Sequence, residues 1–125
     1  MKKSLIALVI IIALLTAGGV YESFFITKQF KEMNNTFTAL YDKIDKEDAV
    51  EDDVIAAQNK WLEKKKYLHA FIPHGEIKEF DLWIAESVIL VRDKKWTEAL
   101  SKVEVIIELT EQIPKTFAIS LENIL

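Results

Sequence analysis

An uncharged apolar run near the amino terminus constrains this chain more than any other feature. The run extends from Leu5 to Val20, and Lys2 and Lys3 precede it. The aromatic residues that follow it are Tyr21, Phe24 and Phe25. A basic flank, an apolar helix near bilayer length and aromatic residues at the far boundary predict a single membrane span with a cytoplasmic amino terminus. We therefore divide the chain into a tip and anchor, residues 1–21, and an extracytoplasmic domain, residues 22–125.

The same run has two other interpretations. Ala17 and Gly19 are small residues spaced like a signal-peptide cleavage site, so the segment could be removed after export. A buried core helix of a cytosolic protein is the remaining alternative. We favour a retained span because the run is long for a signal peptide and the sequence after it continues in helical register. The first two interpretations both place the domain outside the cytoplasm, at the cell membrane or beyond it.

Beyond the run, apolar residues recur at alternating spacings of four and three, which is typical of a helix packed along one face. The pattern predicts a helix from about Glu22 to Ile44 that continues the span without a linker. The residues of this face are Ile26, Phe30, Met33, Phe37, Leu40 and Ile44.

Three more helices are predicted after this one. Their approximate bounds are Asp48–Phe71, Glu76–Val91 and Trp96–Gln112. Asp48 is the expected N-cap of the second helix, and Pro73 and Pro114 are expected to stop the second and fourth. The inward-facing residues are expected to be Val50, Val54, Ala57, Trp61, Lys64, Leu68 and Phe71; then Ile77, Phe80, Ile84, Ser87 or Val88, and Val91; then Trp96, Leu100, Val103, Ile107 and Thr110 or Leu109.

These patterns predict an all-α chain, with a transmembrane helix followed by an antiparallel bundle of about four helices. With 3 Gly and 2 Pro, the sequence has few of the turn residues that an all-β fold needs. The β-branched run Val103–Ile107 could form a strand, but a lone strand would have no partner. The apolar tail Phe117–Leu125 is expected to pack against the bundle.

Composition excludes several classes of function. The net charge is −4, and Lys2 and Lys3 account for +2 of it, which leaves residues 22–125 at −6. An acidic domain is poorly suited to binding a phosphate backbone, so we expect no nucleic-acid partner. The chain has no cysteine, which excludes disulfides, thiolate metal sites and a thiol nucleophile.

No catalytic or metal constellation stands out. The two histidines, His69 and His74, lie five residues apart with Glu76 nearby, and this spacing does not match helical metal ligands. The acidic cluster at residues 48–53 lacks the glycine and spacing of a calcium-binding loop and fits helix-start electrostatics. We therefore expect no enzyme activity, no metal and no cofactor. The three tryptophans, Trp61, Trp83 and Trp96, are interpreted as core or inter-helix anchors, with a ligand groove or partner surface as the alternative.

Several stretches of the chain resemble a known family. They are Trp61 upstream of Phe71-Ile72-x-His74-x-Glu76-Ile77, then Asp93-Lys94-x-Trp96-x-x-Ala99-Leu100, and the ending Ser120-Leu121-Glu122-Asn123-Ile124-Leu125. Over nearly the whole chain, the sequence resembles the bacterial family called domain of unknown function 4363. The resemblance implies a single-span bacterial membrane protein with no established activity. It also raises interest in His74 and Glu76 as contact residues.

These observations lead to a functional hypothesis without a catalytic step. We expect a membrane-anchored interaction or scaffold module, accessory to another membrane or envelope protein, that binds a protein partner or self-associates. The alternative is a sensor-like domain that binds a small ligand between its helices. Possible contact or ligand residues are His74, Glu76, Trp61, Trp83 and Trp96.

Overall fold

A computed structural model describes residues 1–124 as four α-helices joined by short turns. The helices are α1 (Lys2–Asp45), α2 (Glu51–Leu68), α3 (His74–Arg92) and α4 (Trp96–Ile124). Within this part of the chain there is no strand, and Val103–Ile107 is helical, so the all-α prediction is confirmed. Leu125 lies outside the described residues, as do the side chains of Ser120, Leu121, Glu122 and Ile124.

The first helix is the continuous rod that the sequence predicts. It is 44 residues long, and its apolar amino-terminal half is exposed over the whole of the run Leu5–Val20 except at the half-buried Gly19. It is the one described helix long and apolar enough to cross a membrane. In its second half, all six residues of the predicted stripe are buried, because this face of α1 packs into the bundle between α2 and α4.

The four helices form an up-down-up-down bundle in which each helix contacts its two neighbours. Turns of three to five residues join the helices, and connections this short place consecutive helices side by side and antiparallel. Polar contacts cross every one of these interfaces, for example Lys43–Asp53 for α1–α2, Lys65–Asp81 for α2–α3, Glu86–Lys102 for α3–α4 and Asn34–Thr110 for α1–α4.

Three aromatic side chains meet in the centre of the bundle. Trp61 stacks on Phe80 with ring centroids 4.7 Å apart, and Phe30 lies 6.0 Å from the same ring. All three are almost fully buried. Burying an apolar side chain of this size stabilises a fold by about 1.5–3 kcal/mol, so this cluster dominates the core.

The predicted inward face of α2 is correct in its middle and wrong at its ends. Val54, Ala57, Trp61 and Leu68 are buried. Val50 is 58% exposed because it precedes the helix, and Phe71 is 37% exposed because α2 ends at Leu68 and Phe71 lies in the turn. The N-cap is Val50 rather than Asp48, and the Asp53 carboxylate accepts the Val50 N–H at 2.9 Å.

The inward face of α4 is displaced by one residue from part of the prediction. The buried residues are Ala99, Val103, Ile106, Thr110 and Ile113. Leu100 and Ile107, which were expected at the centre, are partly buried beside this seam. Both stripes have the same period, and the choice between them depends on how α4 is rotated against α1 and α3, which its own sequence does not determine.

The prediction that Pro114 stops the fourth helix is wrong. The helix continues through Pro114 to Ile124. A proline within a helix removes one backbone N–H and crowds the carbonyl four residues earlier. Ile113 is 3% exposed and Phe117 packs against the core, so apolar packing on both sides of the proline offsets that cost.

Candidate functional site

One end of the bundle adjoins the apolar half of α1, and we call it the foot. It contains residues 17–31 of α1, the turn 69–73 between α2 and α3, and residues 115–124 of α4. The turn lies there because α2 runs antiparallel to α1, from Asp53 at the far end towards Leu68. We call the opposite end, which holds the turns 46–50 and 93–95, the distal end.

Two grooves flank a ridge of α1 at the foot. The larger, of about 610 Å³, is lined by Ala17, Val20, Tyr21, Phe24, Phe25 and Lys28. The smaller, of about 480 Å³, is lined by Val20, Ser23, Phe24, Thr27, Lys28 and Lys31. The two share Val20, Phe24 and Lys28, so we treat them as one surface, the α1 groove.

The α1 groove changes character along its length. Its lower part is apolar and aromatic, and Phe24 is 76% exposed there. One turn later the exposed side chains are Lys28 and then Lys31. A ligand that fills the groove therefore meets apolar surface at one end and positive charge at the other.

Polar contacts from α2 fix the side of α1 next to the groove. The Lys64 ammonium donates to Gln29 at 2.7 Å and to Glu32. This hydrogen bond and the charge of Lys64 hold the pKa of the Glu32 carboxyl below its ordinary value, with a smaller contribution from Lys28. Lys64 interrupts the apolar stripe of α2 because its stem crosses the interface to reach these partners.

The tryptophans occupy three different environments. Trp61 is fully buried, and its indole N–H donates to Asp81 at 2.8 Å. Trp83 is half-buried, with the Lys102 ammonium 4.4 Å from its ring centroid, a cation–π contact. Trp96 is half-buried at the start of α4 and packs against the core.

His74 and Glu76 both lie in the first turn of α3, directly after the turn 69–73 of the foot. His74 is exposed and Glu76 is half-buried. Burial, with a smaller contribution from the charge of Glu79, raises the pKa of the Glu76 carboxyl. Trp96 lies beyond the other end of this 19-residue helix, about 28 Å away at 1.5 Å per residue. The five candidate residues are thus spread along the bundle.

Sequence patterns missed the α1 groove. The sequence pattern assigns the aromatic residues Tyr21, Phe24 and Phe25 together to a membrane boundary. The signal lay in the helical spacing of Ala17, Tyr21, Phe24, Lys28 and Lys31, which is a second stripe on α1 beside the buried one. Two of its members are lysines, so a search for apolar residues alone does not find it.

Comparison with known protein families identifies the family of the chain. The family described as a domain of unknown function, DUF4363, matches residues 20–124. The chain belongs to the DUF4363 family. This confirms the resemblance seen in the sequence. The DUF4363 match begins at Val20, so it includes most of the α1 groove and the whole bundle. No curated protein and no solved structure matches the chain.

Proposed function

We propose that this DUF4363 chain is a membrane-anchored extracytoplasmic interaction module, and that its α1 groove binds a membrane-spanning helix of another envelope protein. The observation that carries the proposal is the groove itself, an exposed apolar and aromatic surface that continues directly from the apolar half of α1. Contiguous apolar surface of this kind is typical of interaction sites.

The anchoring part of the proposal is supported by α1. Its amino-terminal half is apolar and exposed, so in water it would leave a large hydrophobic surface uncovered. A bilayer would cover that surface. Lys2 and Lys3 before the apolar run favour a cytoplasmic amino terminus, which leaves the bundle on the outer face.

The shape and charge of the groove favour a membrane helix as its occupant. From Ala17 to Lys31 the groove follows α1 for about 21 Å, at 1.5 Å per residue. Its apolar end lies at the depth of lipid chains, whereas Lys28 and Lys31 lie near the headgroups. A second helix that crosses the same membrane and carries an acidic residue just outside it would match both ends.

Photo-crosslinking in cells tests this partner. A photoreactive phenylalanine analogue replaces Phe24 in the groove, and a matched variant carries it at Leu82, an exposed apolar position on α3. We expect a discrete adduct from position 24 whose crosslinked peptide maps to a membrane-spanning segment of one other protein, and little adduct from position 82. Adducts from position 24 that contain only lipid or a second copy of this chain, or equal yields at both positions, would contradict the proposal.

The proposed topology has a separate test. The sequence has no cysteine, so Asn59→Cys gives one thiol at an exposed position of α2. We expect an impermeant thiol reagent to label it in whole or wall-stripped cells. Labelling that requires lysis would place the bundle in the cytoplasm.

The small-ligand alternative stays a prediction. It requires a polar cavity near His74, Glu76 and a tryptophan. The α1 groove, and two smaller grooves between α1 and α2, are lined by other residues. No described groove therefore favours the alternative over the interaction module.

A further inference from the structure

The register between α1 and α2 fixes the height of each residue above the membrane. Lys43 contacts Asp53, and Glu32 contacts Lys64. Eleven residues of α2 therefore run alongside eleven residues of α1, in the opposite direction. The two helices descend towards the foot at the same rate.

The same register places Phe71 at the height of Phe25. The chain keeps a helical course past the end of α2, because the Ile72 N–H donates to the Leu68 carbonyl at 2.9 Å. Phe71 is seven residues after Lys64, and seven residues before Glu32 on α1 is Phe25. Phe71 is also 37% exposed, whereas its neighbour Ile72 in the same turn is buried.

The fourth helix brings a second apolar residue to this height. The Asn34 amide donates to the Thr110 hydroxyl at 2.9 Å, which sets the register of α1 and α4. Ile119 is nine residues after Thr110, and nine residues before Asn34 is again Phe25. Ile119 is 57% exposed. It reaches this level only because α4 continues as a helix beyond Pro114.

This common height coincides with the expected membrane boundary. A hydrocarbon core of about 30 Å takes about 20 residues of helix. Counted from Leu5, the start of the apolar run, that length ends near Phe25. The headgroup layer extends about 5–7 Å further. Apolar side chains from three parts of the fold therefore meet one plane, at the border between lipid chains and headgroups.

We infer that the foot of the bundle rests on the bilayer that its own α1 crosses, with Phe71 and Ile119 inserted into the interface. Aromatic and apolar side chains favour this layer, and covering them there removes them from water. Lys66 is exposed just before the turn, where its ammonium can meet anionic headgroups. The inference rests on the membrane anchoring proposed above, but not on the partner of the α1 groove or on which side of the membrane the bundle lies.

Fluorescence quenching by lipids tests the contact with the full chain. Three single-cysteine variants carry an environment-sensitive fluorophore: Ala70→Cys in the turn at the foot, Leu14→Cys in the apolar run, and Lys95→Cys at the distal end. The purified protein is reconstituted at low density into phosphatidylcholine–phosphatidylglycerol vesicles without nitroxide, with lipids that carry a nitroxide near the headgroup, or with lipids that carry it on the acyl chain. We expect position 70 to lose at least half of its fluorescence and position 95 almost none. Position 95 lies about 28 Å further out, the length of the 19-residue α3.

Each outcome either supports or overturns the contact between the foot and the bilayer. Quenching at position 70 that depends on the nitroxide lipid and is independent of protein density supports the contact, and a label at Ile119→Cys should behave alike. Equal, weak quenching at positions 70 and 95 by the headgroup nitroxide, with strong quenching at position 14 by the acyl-chain nitroxide, would overturn the contact and leave the anchor intact. Weak quenching at all three would overturn the anchor as well. Burial of position 70 that grows with protein density would show a second copy of the chain in place of lipid.

Discussion

The Asp81 carboxylate offers a sharp test of how the bundle is held together. One of its oxygens accepts the indole N–H of Trp61 at 2.8 Å, and the other accepts the Lys65 ammonium at 2.6 Å. The two contacts differ in environment. Trp61 is fully buried, whereas the side chains of Lys65 and Asp81 are each about one-third exposed, at 36% and 34%.

Different substitutions of Asp81 separate the two contacts. Asp81→Asn keeps an acceptor for Trp61 and removes only the charge that Lys65 meets, and a solvent-exposed ion pair of this kind contributes about 0.2–1 kcal/mol. Asp81→Ala also leaves the buried indole N–H without a partner, which costs about 1–3 kcal/mol more. We therefore expect Asp81→Ala to lower the free energy of unfolding by about 1–4 kcal/mol, and Asp81→Asn by less than about 1 kcal/mol.

Urea unfolding of the full chain in a mild detergent, followed by circular dichroism, measures the difference. Lys65→Met serves as the control, because it removes the ion pair and leaves the indole hydrogen bond in place. Its effect should equal that of Asp81→Asn within error. If Asp81→Ala were no worse than Asp81→Asn, the Trp61 hydrogen bond would contribute nothing, and the reasoning from its burial would be refuted.

Three further changes should stabilise the bundle, as thermal unfolding of the full chain would measure. Lys94 has φ of 57° in the turn before α4, so Lys94→Gly should relieve about 1 kcal/mol of backbone strain; a lower Tm would contradict this. Pro114→Ala restores a backbone N–H within α4 and should add up to about 3 kcal/mol to the free energy of unfolding, and a loss of stability would argue against a cost from the proline. Burial raises the folded-state pKa of Glu76 above its ordinary value, so ionisation of this carboxyl lowers the stability of the fold at neutral pH. This cost disappears as the pH falls below the pKa that Glu76 has in the unfolded chain. Glu76→Gln should therefore raise Tm at pH 7 and leave it unchanged near pH 3, and an equal gain at both would refute this cause.

The sequence correctly predicts the buried face of a helix where the helix has a single apolar stripe that packs into the core. Every residue of the α1 stripe from Ile26 to Ile44 is buried, because a heptad pattern on a long helix has a single consistent solution. On α4 the choice between Ile106 and Ile107 depends on two neighbouring helices at once, so local spacing leaves it open. Pro114 misleads for a similar reason, since its helix is held by tertiary packing that local preference does not include.

The candidate site is harder to predict than the fold. The α1 groove combines apolar and basic residues on one face, and only the position of that face relative to the bundle shows that it is uncovered. The contact of the Trp61 indole with Asp81 also joins two helices through the tertiary fold. By contrast, His74 and Glu76 attracted attention because they are close in sequence, and the structure shows them sharing only the first turn of α3.

The uninterrupted course of α1 has a mechanical consequence. Its apolar half and the part inside the bundle belong to one continuous 44-residue helix, so the two parts tilt together. About 30 Å of it, the 20 residues from Ile26 to Asp45, lie beyond the apolar half. A tilt of this roughly 30 Å segment by about 10° would move the distal turns by about 5 Å. For the anchor and partner helix proposed above, a change in bilayer thickness, or a helix bound in the α1 groove, would therefore displace the far end of the bundle.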